Sequence, residues 1–267
     1  MLLDFAKLGA WRWALGFIAG LTGLFLLVPI VFIAALSFGS SRWLIFPPPD
    51  WTLKWYGELF ADPRWLAAMA TSAKIAVVVT VLSVVLGLLA SFALVRGRFR
   101  GRDALRSLFL APMVLPVVIL AVALYAVFLR VGLSGTLAGF VIAHLVVALP
   151  FSIIAISTAL ESVDPAIEDA AVVCGAAPWE ARWRVTIPAI GHGLLSAAVF
   201  SFLISWDEVV LAIFMATPTL QTLPVKVWTT LRTDLTPVIA AASTLLVLVT
   251  LALMLGAALL RRRGGRA

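Results

Sequence analysis

Two carboxylates stand side by side in a run that is otherwise apolar: Asp207 and Glu208 in "SFLISWDEVVLAIF", residues 201–214. An acid near the middle of a membrane helix costs about 2.5–3.5 kcal/mol on the insertion scale, so neither belongs against lipid. The apolar run ends near residue 216. At about 1.5 Å per residue that places both acids roughly 13 Å deep. Two chemistries fit them. A carboxylate lining a low-dielectric pathway attracts an ammonium group strongly, and Trp206 beside it can stack on the cation or its methylene stem. Alternatively, each acid pairs with a basic residue or a backbone donor at a subunit interface. On a helical wheel Ala197, Ser201, Ser205, Glu208 and Ala212 form one small, polar stripe. Ile204, Asp207 and Leu211 lie about 100° round from it. The wheel therefore favours Glu208 as the pathway residue, with Ser205 on the same stripe and Trp206 and Asp207 close by.

A second constellation is "EDAAVVCGAAPWEARWRVTIPAI", residues 168–190, which carries acids, arginines and prolines between long apolar runs. Asp164 followed by Pro165 reads as the N-cap and first residue of a helix. That helix runs through Glu168, Asp169, Ala170 and Ala171 to a stop at Gly175. Pro178 opens a second short helix, "PWEARWRVT", expected to end near Pro188. Helix, glycine bend, helix is the pattern, with small residues (Ala170, Ala171, Ala176) where another surface could approach closely. A plain helix at the membrane interface is the alternative, but it leaves the bend unexplained.

The elements that must position these residues follow from composition. Of 267 residues, 63% are hydrophobic and 12% charged. Soluble domains carry about 25% charged residues, so lipid must cover much of this chain. Six apolar windows of membrane-spanning length appear, about 14–37, 71–95, 108–129, 137–158, 191–216 and 238–260. Lys7 and Arg12 precede the first run, which is too long for a signal-peptide core and is read as a retained span. With six alternating spans, one side receives Lys7, Arg12, Arg96, Arg98, Arg100, Arg102, Arg106, Arg182, Arg184 and the tail Arg261, Arg262, Arg263 and Arg266. The other side receives only Arg42, Lys54, Arg64, Arg130, Lys226 and Arg232. Positive residues mark the cytoplasmic face, so both termini and the 159–190 loop are expected there. The net charge of +7 thus records topology, and no nucleic-acid partner is expected.

The remaining chemistry is sparse. Cys174 is the only cysteine, which excludes an internal disulfide and a cysteine metal cluster, and it is expected as a small apolar filler beside the bend. His144 and His192 each stand alone, as packing residues do, and no metal site or catalytic cluster is expected. Pro112, Pro116 and Pro150 are expected to kink the third and fourth spans. On the outer side, Trp51, Trp55, Tyr56 and Phe60 suit a short helix at the membrane surface. No Gly-x-x-x-x-Gly-Lys phosphate loop exists, because none of Lys7, Lys54, Lys74 and Lys226 follows a glycine. The chain is not itself an ATPase.

The spacing Asp169-Ala170-Ala171-x3-Gly175-x9-Val185-x-Ile187-Pro188 resembles the "E-A-A-x3-G-x9-I-x-L-P" loop of ATP-binding-cassette (ABC) importer permeases, with Asp, Val and Ile as conservative departures. The stretches "FPPPDWTLKWYGELFADPRW", "ALVRGRFRG", "APMVLPVVILAVALY", "SWDEVVLAIF" and "TLQTLPVKVW" together resemble the spermidine/putrescine-type permeases. Relatives importing iron, thiamine, aminophosphonates or opines share several of these pieces. The resemblance implies an all-α, polytopic permease of six transmembrane helices, one domain over 1–267, in the bacterial inner membrane. It implies that the 159–190 loop is a coupling helix seated on the ATPase through Glu168, Asp169, Ala170, Ala171, Gly175, Ala176 and Pro178. It implies a second permease subunit as heterodimer partner, two ATPase subunits holding ATP and Mg, and an external substrate-binding protein, with no cofactor in this chain. The helix after "TLQTLP" is expected at the outer mouth of the pore, with Trp228 near the binding protein or the gate and Thr222 open to the outside. A secondary transporter would instead show internal repeats with paired broken helices. No convincing repeat is visible.

Overall fold

The computed structural model describes residues 11–264, and side chains within 11–261. Lys7 and Arg266, which bear on orientation, lie outside the described residues, as do the side chains of Arg262 and Arg263. The described residues are all-α apart from one isolated antiparallel bridge, Gly39 with Trp51. Among them, four helices are long and apolar enough to cross a membrane uninterrupted, and up to six spans result if two bent helix pairs are each counted as one. The chain divides into two compact units.

The first unit comprises residues up to Asp62 together with Thr230–Leu248. Helix α1 (Trp11–Ser37) is apolar all round and ends in a strap. The Ser40 amide donates to the Asp50 carbonyl (2.9 Å) and that of Thr52 to the Phe38 carbonyl (2.7 Å). Helix α2 (Lys54–Ala61) is the expected short aromatic helix, but its aromatics do more than float at an interface. The Trp55 indole donates to the Gly39 carbonyl (2.6 Å), and the Tyr56 hydroxyl bonds the Ser37 hydroxyl (2.7 Å). Only Trp51 and Phe60 of the four stay exposed.

The second unit, Pro63–Thr229 with Val249 onward, is built on three helices packed pairwise. These are α3 (Pro63–Arg96), α6 (Leu137–Glu161) and α10 (Gly191–Trp206). Lipid-embedded helices gain nothing from apolar contact alone, so close packing and interhelical hydrogen bonds must hold them. Both are present. A side chain on Gly193 would collide with Ala159, and one on Gly87 with Ser152. Serines stitch α3 to α6: Ser152 donates to the Ser83 carbonyl (2.8 Å), Ser91 to the Ile153 carbonyl (3.2 Å) and Ser157 to the Ser91 hydroxyl (3.1 Å).

Several span boundaries differ from expectation. Helix α3 starts at Pro63 and is 34 residues long, so it rises well before the expected 71. The 108–129 window is not one helix. It divides into α4 (Arg102–Val114) and α5 (Val117–Arg130), set at 105°. Pro116 is the reason: the residue before a proline is forced out of helical geometry, and Leu115 is extended at ψ 137°. Pro112 and Pro150 lie inside continuous helices, so only one of the three prolines breaks a span. The 191–216 window is also broken, into α10 and α11 (Val210–Met215), with 207–209 non-helical between them. Helix α12 (Leu223–Thr233) and α13 (Pro237–Gly264) complete the chain.

Candidate functional site: a braced loop and an interrupted span

The loop after α6 begins with the Asp164 carboxylate accepting from the Ala166 amide (2.9 Å), which caps α7 (Ala166–Val173). The helix ends as its glycine requires. Gly175 adopts φ +97°, the left-handed region that side chains avoid. Its amide donates to the Val172 carbonyl (2.9 Å), and the Ala176 amide donates to the Ala171 carbonyl (3.1 Å). This pair of bonds is the Schellman stop. The second helix runs further than expected. It passes through α8 (Pro178–Ala181), a π-helical turn (Arg182–Thr186) and α9 (Ile187–Ala189), then bends by 70° into α10. Pro188 has no amide to offer the Arg184 carbonyl. The Ile187 amide just before it bonds the Arg182 carbonyl, five residues back.

Two neighbouring acids on α7 take opposite roles. Glu168 turns inward, its side chain only 16% exposed, and accepts from the buried Thr186 hydroxyl (2.8 Å). It also stands 3.7 Å from Arg96 Nε and 3.8 Å from Arg182 Nε. The Arg96 guanidinium in turn donates to the carbonyls of Leu160 (3.2 Å) and Val163 (2.7 Å), which close the end of α6. Glu168 therefore clamps the loop to α3 and to its own second helix, and its carboxylate is spoken for. Asp169 and Ala170 face solvent with Val172, Val173, Gly175, Pro178, Trp179 and Trp183, while Ala171 and Ala176 are half-buried. Cys174 is exposed and does not act as the apolar filler expected of it. The loop thus has a braced back and a free apolar front.

Arg96 and Thr186 escaped the sequence reading. Arg96 was counted only as a topology charge. Its position as the last residue of a long apolar helix, where a cation meets the helix C-terminus, was the available signal. Thr186 gave none.

At the interrupted span, the structure reorders the two acids. Ala197, Ser201, Ser205 and Ala212 are all buried, so the small stripe is a packing face, the one by which α10 approaches its neighbours. A wheel drawn through 197–212 loses its phase at 207–209, where the helix stops. Glu208 is half-buried and accepts from the Leu211 amide (2.8 Å), capping α11. Asp207 is exposed. Trp206 is buried and stacked on Phe202, with ring centroids 5.7 Å apart. Ser205 bonds the buried His144 ring at Nδ1 (3.0 Å), which explains that lone histidine as a packing residue.

The segment leading to α12 is anchored rather than open. The Leu223 amide donates to the Ser72 hydroxyl (2.8 Å), and Thr222 is only 2% exposed, against the expectation that it would meet the outside freely. Pro218 and Thr219 are the exposed residues of that loop, and Trp228 is exposed on α12.

With this geometry in view, the similarities to known proteins fall into place. Residues 83–265 match the family described as the binding-protein-dependent transport system inner membrane component. The chain is 32% identical over 230 residues to the putrescine transport system permease protein PotI of Escherichia coli K12, covering 83% of this chain and 81% of that protein. It is 29% identical over 240 residues to the spermidine/putrescine transport system permease protein PotC of Haemophilus influenzae, covering 90% and 93%. Its fold is similar, at TM-score 0.71 and 19% identity, to a chain in the crystal structure of a bacterial ABC transporter involved in the import of the acidic polysaccharide alginate, covering 92% of this chain and 96% of that one.

Proposed function

The chain belongs to the binding-protein-dependent inner membrane component family and is an ABC importer permease, a multi-pass protein of the inner membrane; on that premise we propose that it forms half of a translocation pore for a polyamine, putrescine or spermidine. A second permease subunit completes the pore, an external binding protein delivers the cargo, and two separate ATPase subunits carry ATP and Mg. Both termini face the cytoplasm, as the arginine distribution supports. The free front of the loop seats on an ATPase through Asp169, Ala170, Ala171, Gly175, Ala176 and Pro178. Glu168 acts from behind as the brace. The observation that carries this assignment is the Gly175 bend, a rigid Schellman stop that presents Asp169 and an apolar surface outward while Glu168, Arg96 and Thr186 hold its back.

For the cargo, sequence similarity to two polyamine permeases over most of the chain is the main support. Asp207 supplies a local reason: an exposed carboxylate at an interruption in an apolar span meets a passing ammonium group, whereas the Glu208 carboxylate already serves α11. Trp206 and Ser205 back that position without lining it, and Trp228, exposed on α12, is placed near the binding protein or the gate. Proteoliposomes holding the whole importer, with ATP inside the ATPase compartment, test the proposal. Saturable uptake of labelled putrescine or spermidine is expected. Uptake of iron, thiamine, an aminophosphonate or an opine in its place would overturn the cargo and leave the permease role standing.

A further inference from the structure

We propose that the ends of α10 and α13 nearest the loop form a binding site for the phosphate of an anionic phospholipid headgroup. A cavity of about 560 Å³ lies there, lined by Pro188, Ala189, His192, Leu195, Leu260 and Arg261. Its size falls within the roughly 300–1,000 Å³ of small-molecule sites. Its chemistry is graded. Arg261 and His192 are exposed at the rim and supply a guanidinium and an imidazole, while Leu195, one turn along α10, and Leu260 supply an apolar wall. Gly191 also lines the cavity, so the first turn of α10 adds the positive end of its dipole. Among the described residues that line it there is no carboxylate.

This grading selects a lipid over a soluble anion. Helices α10 and α13 are apolar along their lengths, so their ends lie where headgroups lie. Basic pockets between membrane helices on that side hold anionic headgroups, with the phosphate at the cation and the glycerol and upper acyl chain against the apolar wall. A second basic depression, around Arg98 and Arg102, differs. It contains Asp103, whose carboxylate stands 3.7 Å from Arg102 Nε. That surface is the internal control. The leaflet, though not the binding, rests on the topology proposed above.

The test is lipid retention by the assembled importer, read by native mass spectrometry after reconstitution in phosphatidylglycerol or phosphatidylcholine vesicles and re-extraction in a neutral detergent. Wild-type complex should keep phosphatidylglycerol and lose phosphatidylcholine. Arg261→Gln should lower retention about fivefold, the loss expected of one cation near a membrane surface. Arg261→Lys should restore most of it, and Arg102→Gln should leave it unchanged. Equal retention in Arg261→Gln and wild type, or equal retention of the two lipids, would overturn the site. Displacement by millimolar inorganic phosphate would reassign it to a soluble anion. Retention is read without transport and whichever way the termini face, so its failure is separate from failure of the cargo or the topology.

Discussion

Replacing Glu168 by Ala should release the loop from the membrane bundle while leaving the spans intact. The Thr186 hydroxyl loses a charge-assisted acceptor inside the protein, a bond of about 1.5–3 kcal/mol. The pair with half-exposed Arg182 adds only about 0.2–1 kcal/mol. The Arg96 contact adds a similar amount or somewhat more, because both side chains are largely covered; Nη2 keeps its two carbonyl acceptors, while the buried Nε is left without a facing anion. The sum is about 2–5 kcal/mol, which corresponds to roughly a 30- to 4,000-fold change in the equilibrium between docked and released loop. Hydrogen exchange in the assembled importer measures this directly. Amides of the π-helical turn and α9 should lose protection by that factor, while those in the middle of α6 keep theirs. ATPase activity should fall out of step with uptake. Glu168→Gln, which retains an oxygen for Thr186, should fall between. Asp169→Ala should leave protection unchanged and weaken only the contact with the ATPase. Unchanged exchange over 182–190 in Glu168→Ala would refute the brace, whatever happened to transport.

Other outcomes follow from the same geometry. Gly175→Val places a β-branched side chain at φ +97°, against a left-handed penalty of about 1–2 kcal/mol for ordinary residues; uncoupling of ATP hydrolysis from uptake, or failed assembly, is expected, and normal coupling would remove the bend from the mechanism. Asp207→Asn should depress polyamine uptake more than Glu208→Gln, with binding-protein affinity unchanged in both; the reverse order would return the pathway role to Glu208. In a Cys174→Ala background, Thr219→Cys should react with an impermeant external reagent far faster than Thr222→Cys, as judged by labelling of intact cells. Labelling of Thr219→Cys only from the cytoplasmic side would invert the topology.

The loop was legible because its signals are local. Asp164, Gly175 and Pro178 act through bonds to residues a few positions away, so their spacing alone specifies cap, stop and restart. Only the end of the second helix was misplaced, since Pro188 shifts the hydrogen-bond ladder into a π-turn instead of ending it. The two acids of the interrupted span were legible as anomalies but not as geometry. Ranking them by a wheel assumed a continuous helix through Asp207, and the interruption there puts Glu208 to work as a cap. Hydrophobic windows are equally blind to a 105° turn, because both arms of the 108–129 segment are apolar. Glu168 and Arg96 lie 72 positions apart in sequence, and nothing in either neighbourhood announces the other.

The two interrupted spans also share a neighbour. Helices α5 and α11, the segments following the two interruptions, pack on one another and on α6, with the Tyr125 and Phe214 rings 6.0 Å apart. Each is joined to the preceding segment through residues already outside helical geometry, Leu115 and 207–209. Swinging the pair as one body against α6 therefore bends the chain at joints whose ladder is open and in the non-helical links 131–136 and 216–222, outside the helices themselves. The energy of such a swing resides in side-chain contacts on the α6 wall, Phe128, Phe140 and Leu211 among them. A volume change of a methylene or two at those positions should tune the cost of that swing, leaving the helices themselves untouched.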